Sequence, residues 1–177
     1  MALYGYAEKA FTLSMVESPL ELSNYNISNN TIEKILDIGK NMLNKPVDLL
    51  EGVEAVLKIV SKKHRIILAT KGDLLDQERK LEKSGLTHYF HHIEILSDKK
   101  EANYTKLLAH LDIKPQEFLM VGNSLKSDVL PLVNIGAQAV HIPFHTTWAH
   151  EKVTEKETNG KAYKTIKHLK ELIDLVN

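Results

Sequence analysis

Over residues 1 to about 47 the apolar positions recur at helical spacing, and no alternating or continuous apolar run marks a strand. Ala10, Phe11, Leu13 and Ser14 lead into Met15 and Val16, which predicts a first helix with one apolar face. A polar break follows at Ser23-Asn24-Tyr25-Asn26, and Asn30 with Glu33 three residues on has the arrangement of a capping box. Ile32, Ile35, Leu36, Gly39, Met42 and Leu43 then space out a second helix that Pro46 ends. Two amphipathic helices of this kind must bury their faces on something.

From Glu51 the pattern alternates between helix and strand. Gly52 opens a helical stretch through Val56, Leu57 and Val60, and Ile66-Ile67-Leu68-Ala69 predicts a short buried strand ending at Thr70-Lys71-Gly72. A helix from about Leu74 to Lys83 stops at Gly85. Ile93-Glu94-Ile95-Leu96 is the next strand, ending at Ser97-Asp98-Lys99-Lys100, and Tyr104, Leu107, Leu108 and Leu111 mark a helix before Pro115. Phe118 to Val121 forms the third strand, Val129 to Ile135 a helix, and Ala139-Val140-His141-Ile142 the fourth strand. Charged residues from Glu151 to Lys161 predict a loop, and Ile166, Leu169, Leu172 and Val176 a closing helix. Strands alternating with helices at this period predict an α/β fold with a parallel sheet and right-handed crossovers. There is no internal repeat and no low-complexity segment.

Composition narrows the functional classes. A length of 177 residues fits one domain, or one domain with a small insert. The 23 Lys and Arg are balanced by 23 Asp and Glu, without the basic excess of a nucleic-acid-binding domain. No apolar run approaches the roughly 18 residues of a membrane span, and the N-terminus lacks the plan of a signal peptide. The absence of cysteine excludes disulfides, thiolate catalysis and cysteine-based zinc sites. A cytoplasmic protein is the simplest expectation.

The candidate chemistry collects where strands end. Phe118-Leu119-Met120-Val121 runs without alternation into Gly122-Asn123-Ser124, and Asp128 follows at the start of a helical pattern. Continuous apolar runs mark strands covered on both faces, and ligands in such sheets gather beyond the strands' carboxyl ends. An oxygen-rich loop with one firm carboxylate suits a hard cation such as Mg²⁺. Taken alone, Asn123 and Ser124 read equally as turn formers and Asp128 as a favourable first-turn charge. Three strand ends together say more, because Thr70-Lys71-Gly72, Lys99 and Gly122-Asn123 with Asp128 share one edge of a parallel sheet. A phosphate needs that set: a hydroxyl and backbone N–H groups for its oxygens, a fixed positive charge, and a carboxylate-bound Mg²⁺.

On these residues the sequence resembles the haloacid dehalogenase superfamily of phosphohydrolases, from about Gly5 to about His150. Ile67-Leu68-Ala69-Thr70-Lys71-Gly72 resembles the second motif, which implies that the Thr70 hydroxyl and the backbone N–H of Lys71 hold the phosphoryl group. Lys99 stands as the third-motif lysine that steadies nucleophile and phosphate. Gly122-Asn123-Ser124-Leu125-Lys126-Ser127-Asp128 is similar to the fourth motif, so Asp128 and Asn123 are the implied Mg²⁺ ligands. Asn123 stands where an aspartate is common, which leaves Asp128 most of the metal's charge to balance. The resemblance also implies a Rossmannoid core over residues 48–177, and a helical cap over residues 1–47 that closes on a small phosphorylated substrate.

One departure outweighs the matches. The family's first motif, Asp-x-Asp-x-Thr at the end of a central strand, should precede the cap, and no Asp-x-Asp pair occurs anywhere in the chain. Without the aspartate nucleophile the expectation is no useful phosphate-ester hydrolysis by this polypeptide. The resemblance places the missing strand between the strand ending at Thr70 and the one ending at Val121. It would bury about four or five apolar side chains at roughly 1.5–3 kcal/mol each, comparable to a whole stability of about 5–15 kcal/mol. The expectation is therefore part of a longer product, or a chain completed by a strand from a partner or a second copy.

Other features read as structural. Pro143 interrupts any regular helix through His141, His145 and His150, and neither these nor His91-His92 form a transition-metal pattern. His145-Thr146-Thr147-Trp148 reads equally as a segment facing the active-site edge and as a surface loop. Phe11, Leu13, Met15 and Tyr25 read as helix-packing residues. Two other classes remain as alternatives. One is a non-catalytic relative that binds without turnover. The other is an unrelated doubly wound nucleotide-binding domain, disfavoured because no Gly-x-Gly-x-x-Gly or Walker loop follows a strand.

Overall fold

A computed structural model describes residues 8–146 and 151–176, so Gly5, Thr147, Trp148 and His150 lie outside the described residues. The chain is α/β, and its strands form two parallel sheets, ordered β1-β2 and β3-β4-β5. It divides into two compact units, Met1–Leu49 with Ile67–Ser97 and Leu50–Ile66 with Asp98–Asn177. Among the described residues no helix is long and apolar enough to cross a membrane.

The first unit opens with α1 (Glu8–Leu22) and α2 (Asn29–Asn44), which pack on each other. Ser28, not Asn30, caps α2: its backbone is extended and its hydroxyl accepts from Thr31 N, while Asn30 is already inside the helix. Gly39 is the buried residue of α2, and a Cβ built there would lie 2.6 Å from Thr12 Cγ2. Strand β1 (Ile67–Lys71) and strand β2 (His92–Leu96) pair in parallel, with Thr70 opposite Ile95. Between them α4 (Leu74–Ser84) is capped by Asp73 and ends at Gly85, whose φ of 70° is the left-handed stop the sequence predicts. β1 departs from expectation, since none of its five residues is buried. Its sequence is that of a covered strand, but among the described residues β2 is its one strand neighbour.

The second unit holds α3 (Val53–Val60), α5 (Glu101–His110), β3 (Leu119–Gly122), α6 (Leu130–Asn134), β4 (Gln138–His141), α7 (Glu155–Thr158), β5 (Lys164–Thr165) and α8 (Leu172–Val176). Val56, Val140, Ile166 and Leu172 form its core, with Leu119, Val121 and Ile142 packed against them. The period of two along a strand puts Met120 and Ala139 on the opposite face, and both are buried there. Between β3 and α6 the backbone makes a π-helical turn, Leu125–Val129, rather than entering an α-helix directly. Two further predictions are corrected. The charged segment after Glu151 contains α7, at whose start Thr154 donates its N–H and its hydroxyl to Glu157 Oε2, at 2.7 and 2.8 Å. The closing helix is shorter than its periodicity, because Ile166 directly follows the two-residue β5, its N–H bonding His141 O at 3.0 Å.

The contact at Gly39 makes a prediction. Gly39→Ala should lower stability by about 1–3 kcal/mol through overpacking, despite the gain in helix propensity. Thr12→Ala removes the atoms in the way, so the double variant should recover most of the loss in thermal unfolding. A higher Tm for Gly39→Ala alone would mean that the two helices separate freely.

Candidate functional site

At the end of β3 the chain reaches Gly122 and turns over a backbone with no side chain in the way. A Cβ at Gly122 would stand 2.5 Å from Asp128 Cγ, so the carboxyl group lies directly against this glycine. Ser124 then caps the π-helical turn, its Oγ accepting from Ser127 N at 2.9 Å. Both Asp128 N at 2.8 Å and Val129 N at 3.1 Å bond to Ser124 O, which is the widened turn in hydrogen-bond terms. The result points Asp128 back at the loop's start, where its Oδ2 accepts from Ser124 N at 3.1 Å.

Asp128 is 5% exposed, and its other oxygen meets Lys99 Nζ at 2.6 Å. Lys99 reaches it from just before α5, where Asp98 Oδ1 accepts from the Lys99 backbone N–H at 2.8 Å. Tyr104, fully buried on α5, donates its hydroxyl to Ser127 O at 3.0 Å. Burial, reinforced by the Asp128 and Glu151 charges, pushes the Tyr104 phenol well above its ordinary value of 10.0. Glu151 completes the shell: its Oε2 accepts from Ser127 Oγ at 2.6 Å and from Ser124 Oγ. Asn123 has an exposed side chain, and its carbonyl stands 3.2 Å from His141 Nε2.

Of the residues singled out in the sequence, the structure thus brings Lys99, Asp128 and the Asn123 backbone to one place in the second unit. Thr70 and Lys71 belong to the first unit, where the Thr70 hydroxyl donates to Gln77 Oε1 at 2.8 Å and Lys71 is half-buried. Glu151 and Tyr104 were not predicted as site residues. Tyr104 was read only as a helix-core position, and Glu151 as the first residue of a charged loop. Two serines three apart in a buried turn need an acceptor, but no spacing rule says which distant residue supplies it.

Among the described residues no group of three or more His, Cys, Asp or Glu side chains is placed to share a metal ion. The donors are nonetheless the hard oxygen type that Mg²⁺ takes. Donor type fits a cation, with Asp128 the carboxylate able to meet it directly.

Residues 20–136 match the haloacid dehalogenase-like hydrolase family. The chain is 30% identical over 96 residues to the N-acylneuraminate-9-phosphatase of Rattus norvegicus, a match covering 51% of this chain and 39% of that protein. It is 25% identical over 126 residues to the glyceraldehyde 3-phosphate phosphatase of Methanothermobacter thermautotrophicus, covering 68% of this chain and 55% of that one. The chain therefore spans between about two fifths and just over half of these curated relatives. A haloacid dehalogenase-like family hydrolase from Xanthomonas campestris superposes with a TM-score of 0.85 at 31% identity, covering 99% of this chain and 70% of that one.

Removing Lys99 strands a buried charge. Lys99→Met should cost about 3 kcal/mol or more in denaturant unfolding, and Asp128→Asn in the same chain should return most of it. An additive pair of losses would show that the two groups are not coupled. The Tyr104 contact makes an alkaline prediction. A folded-state pKa raised above the unfolded value gives stability that is complete below pH 10.0 and lost as pH rises beyond it. Tyr104→Phe should flatten that loss, and the phenolate absorbance of wild type should fall one tyrosine short until the chain unfolds.

Proposed function

The chain belongs to the haloacid dehalogenase-like hydrolases, and from that premise we propose that it is part of a Mg²⁺-dependent phosphohydrolase acting on a small phosphorylated metabolite. The observation that carries this reading is the buried Lys99–Asp128 pair, 2.6 Å apart. Two strand ends 29 residues apart in sequence deliver a fixed ammonium and a carboxylate to one spot, the pairing that phosphate and a divalent cation need. The phosphatase names of both curated relatives support the same reaction class. Two different phosphorylated compounds in those names leave the substrate at the level of a class.

In this reading Asp128 and Asn123 would hold the metal, which would supply charge neutralisation at the phosphoryl oxygens. Lys99 sets the direction of the Asp128 carboxylate and offers its remaining N–H donors to the phosphate. Within the first unit, the Thr70 hydroxyl, now on Gln77 Oε1, and the Lys71 backbone N–H are donors of the kind a phosphoryl oxygen takes. Helices α1 and α2 act as the cap. None of these groups attacks phosphorus, and the chain contains no Asp-x-Asp pair to do so. Turnover therefore needs an added strand carrying an aspartate nucleophile, from upstream, from a partner or from a second copy. The half-buried β1, whose one strand neighbour among the described residues is β2, supports an additional parallel strand. The missing pair equally favours a second reading, a relative that binds phosphorylated ligands without turning them over.

The two readings separate in one assay. Mg²⁺-dependent hydrolysis of p-nitrophenyl phosphate is measured for this chain and for a form extended at its N-terminus by an Asp-x-Asp-x-Thr strand. Only the extended form should turn over, with Asp128→Ala reducing it about 100-fold or more. Turnover by the chain alone would sink the nucleophile argument, and a folded but inert extended form would favour the binding protein.

A further inference from the structure

We propose that Glu151 is a positioning residue for the Gly122–Asp128 loop, fixing through its two serines the direction in which Asp128 presents its carboxylate. The inference rests on Asp128 being the carboxylate of the proposed site, and adds to that site a residue more than twenty positions away in sequence. Ser124 and Ser127 are 8% and 7% exposed, so their hydroxyl protons need acceptors inside the protein. Glu151 Oε2 accepts both, at 2.6 Å from Ser127 Oγ and from Ser124 Oγ as well. An ionised acceptor makes each of these stronger than a neutral hydrogen bond.

The two serines are the residues through which the turn acts on Asp128. Ser124 is bound to Glu151 by its hydroxyl and to Asp128 Oδ2 by its backbone N–H at 3.1 Å. Its Oγ also takes the Ser127 N–H at 2.9 Å, and Ser127 O receives the Tyr104 hydroxyl at 3.0 Å. Without Glu151 the two buried hydroxyls lose this shared acceptor, which loosens the turn it ties down. The Ser124 N–H is then freer to swing away from Asp128 Oδ2. The bonds from Glu151 to Ser124 and Ser127 carry its effect through the loop to the Ser124 N–H that Asp128 accepts.

Amide hydrogen exchange on the intact chain tests this. Glu151→Ala should speed exchange at Ser127, Asp128 and Val129 by about tenfold or more while leaving Ile166 in the β5 core unchanged, the pattern of a local opening. Glu151→Gln keeps an oxygen acceptor and should stay within about threefold of wild type. Ser127→Ala, which removes one donor, carries the same test in milder form if Glu151→Ala does not fold. Equal acceleration at Ile166, or an unchanged turn, overturns the proposal. Mn²⁺ titration followed by water-proton relaxation reads the consequence, with affinity about tenfold weaker in Glu151→Ala and recovered in Glu151→Gln. An unchanged affinity beside a loosened turn overturns the link from Glu151 to the carboxylate. A wild type that takes up no Mn²⁺ counts against the metal reading itself, while exchange still decides the positioning role.

Discussion

Burying the Asp128 carboxylate is the constraint on which the second unit depends. A charge at 5% exposure must be met inside the protein, and the unit meets it from three directions. Lys99 supplies the opposite charge, Ser124 a backbone donor, and Gly122 the space that a Cβ would fill. Each contribution dictates local structure. The glycine must end β3, the turn must widen to a π-helical step so that residue 128 faces residue 124, and the lysine must leave its segment at the matching height. A buried ion pair is a poor device for stability, because apolar side chains of equal volume often serve as well or better. Under the proposed function the pair serves phosphate and metal chemistry rather than stability.

The sheets state a second constraint. Ala139 and Val140 in β4 are buried, Val140 against Val56, Ile166 and Leu172, whereas β1, with an equally apolar sequence, has none of its residues buried. Parallel sheets are stable when covered on both faces and paired along their edges. The first unit is correspondingly thin in apolar core, with Ala10, Leu86 and Leu96 its buried hydrophobic residues among those described. Much of its order comes instead from polar fastenings such as Lys83 to the carbonyl of Leu43 at 3.0 Å and Lys9 to Asp73 at 2.6 Å. Such exposed fastenings contribute little each, so this unit has the most to gain from an additional strand.

The alternation of helix and strand was legible because it rests on local rules. Periodicity of 3.6 marked α2 and α5, short runs rich in apolar residues marked β1 to β4, and Gly85 marked a helix end by its left-handed backbone. Misses fell where local signals are short or ambiguous. Ser28 and Asn30 both suit an N-cap, and only backbone geometry separates them. A two-residue strand at Lys164–Thr165 carries no periodicity, and α7 is a single turn inside a charged stretch. The burial expected for β1 failed for a different reason, since a strand's cover depends on neighbours its own sequence does not contain.

The same division holds for the site. Sequence alone determined the family resemblance, the types of donor at three strand ends, and the absence of an Asp-x-Asp pair, because these depend on residue identity and short spacing. Tertiary structure decided that Lys99 touches Asp128, that the Thr70 hydroxyl is turned to Gln77, and that Glu151 holds two serines of a loop 24 and 27 residues away. Such contacts arise when separate segments compete to satisfy the same buried polar groups. Which acceptor reaches a given hydroxyl is a matter of three-dimensional distance and desolvation, and no local pattern encodes it.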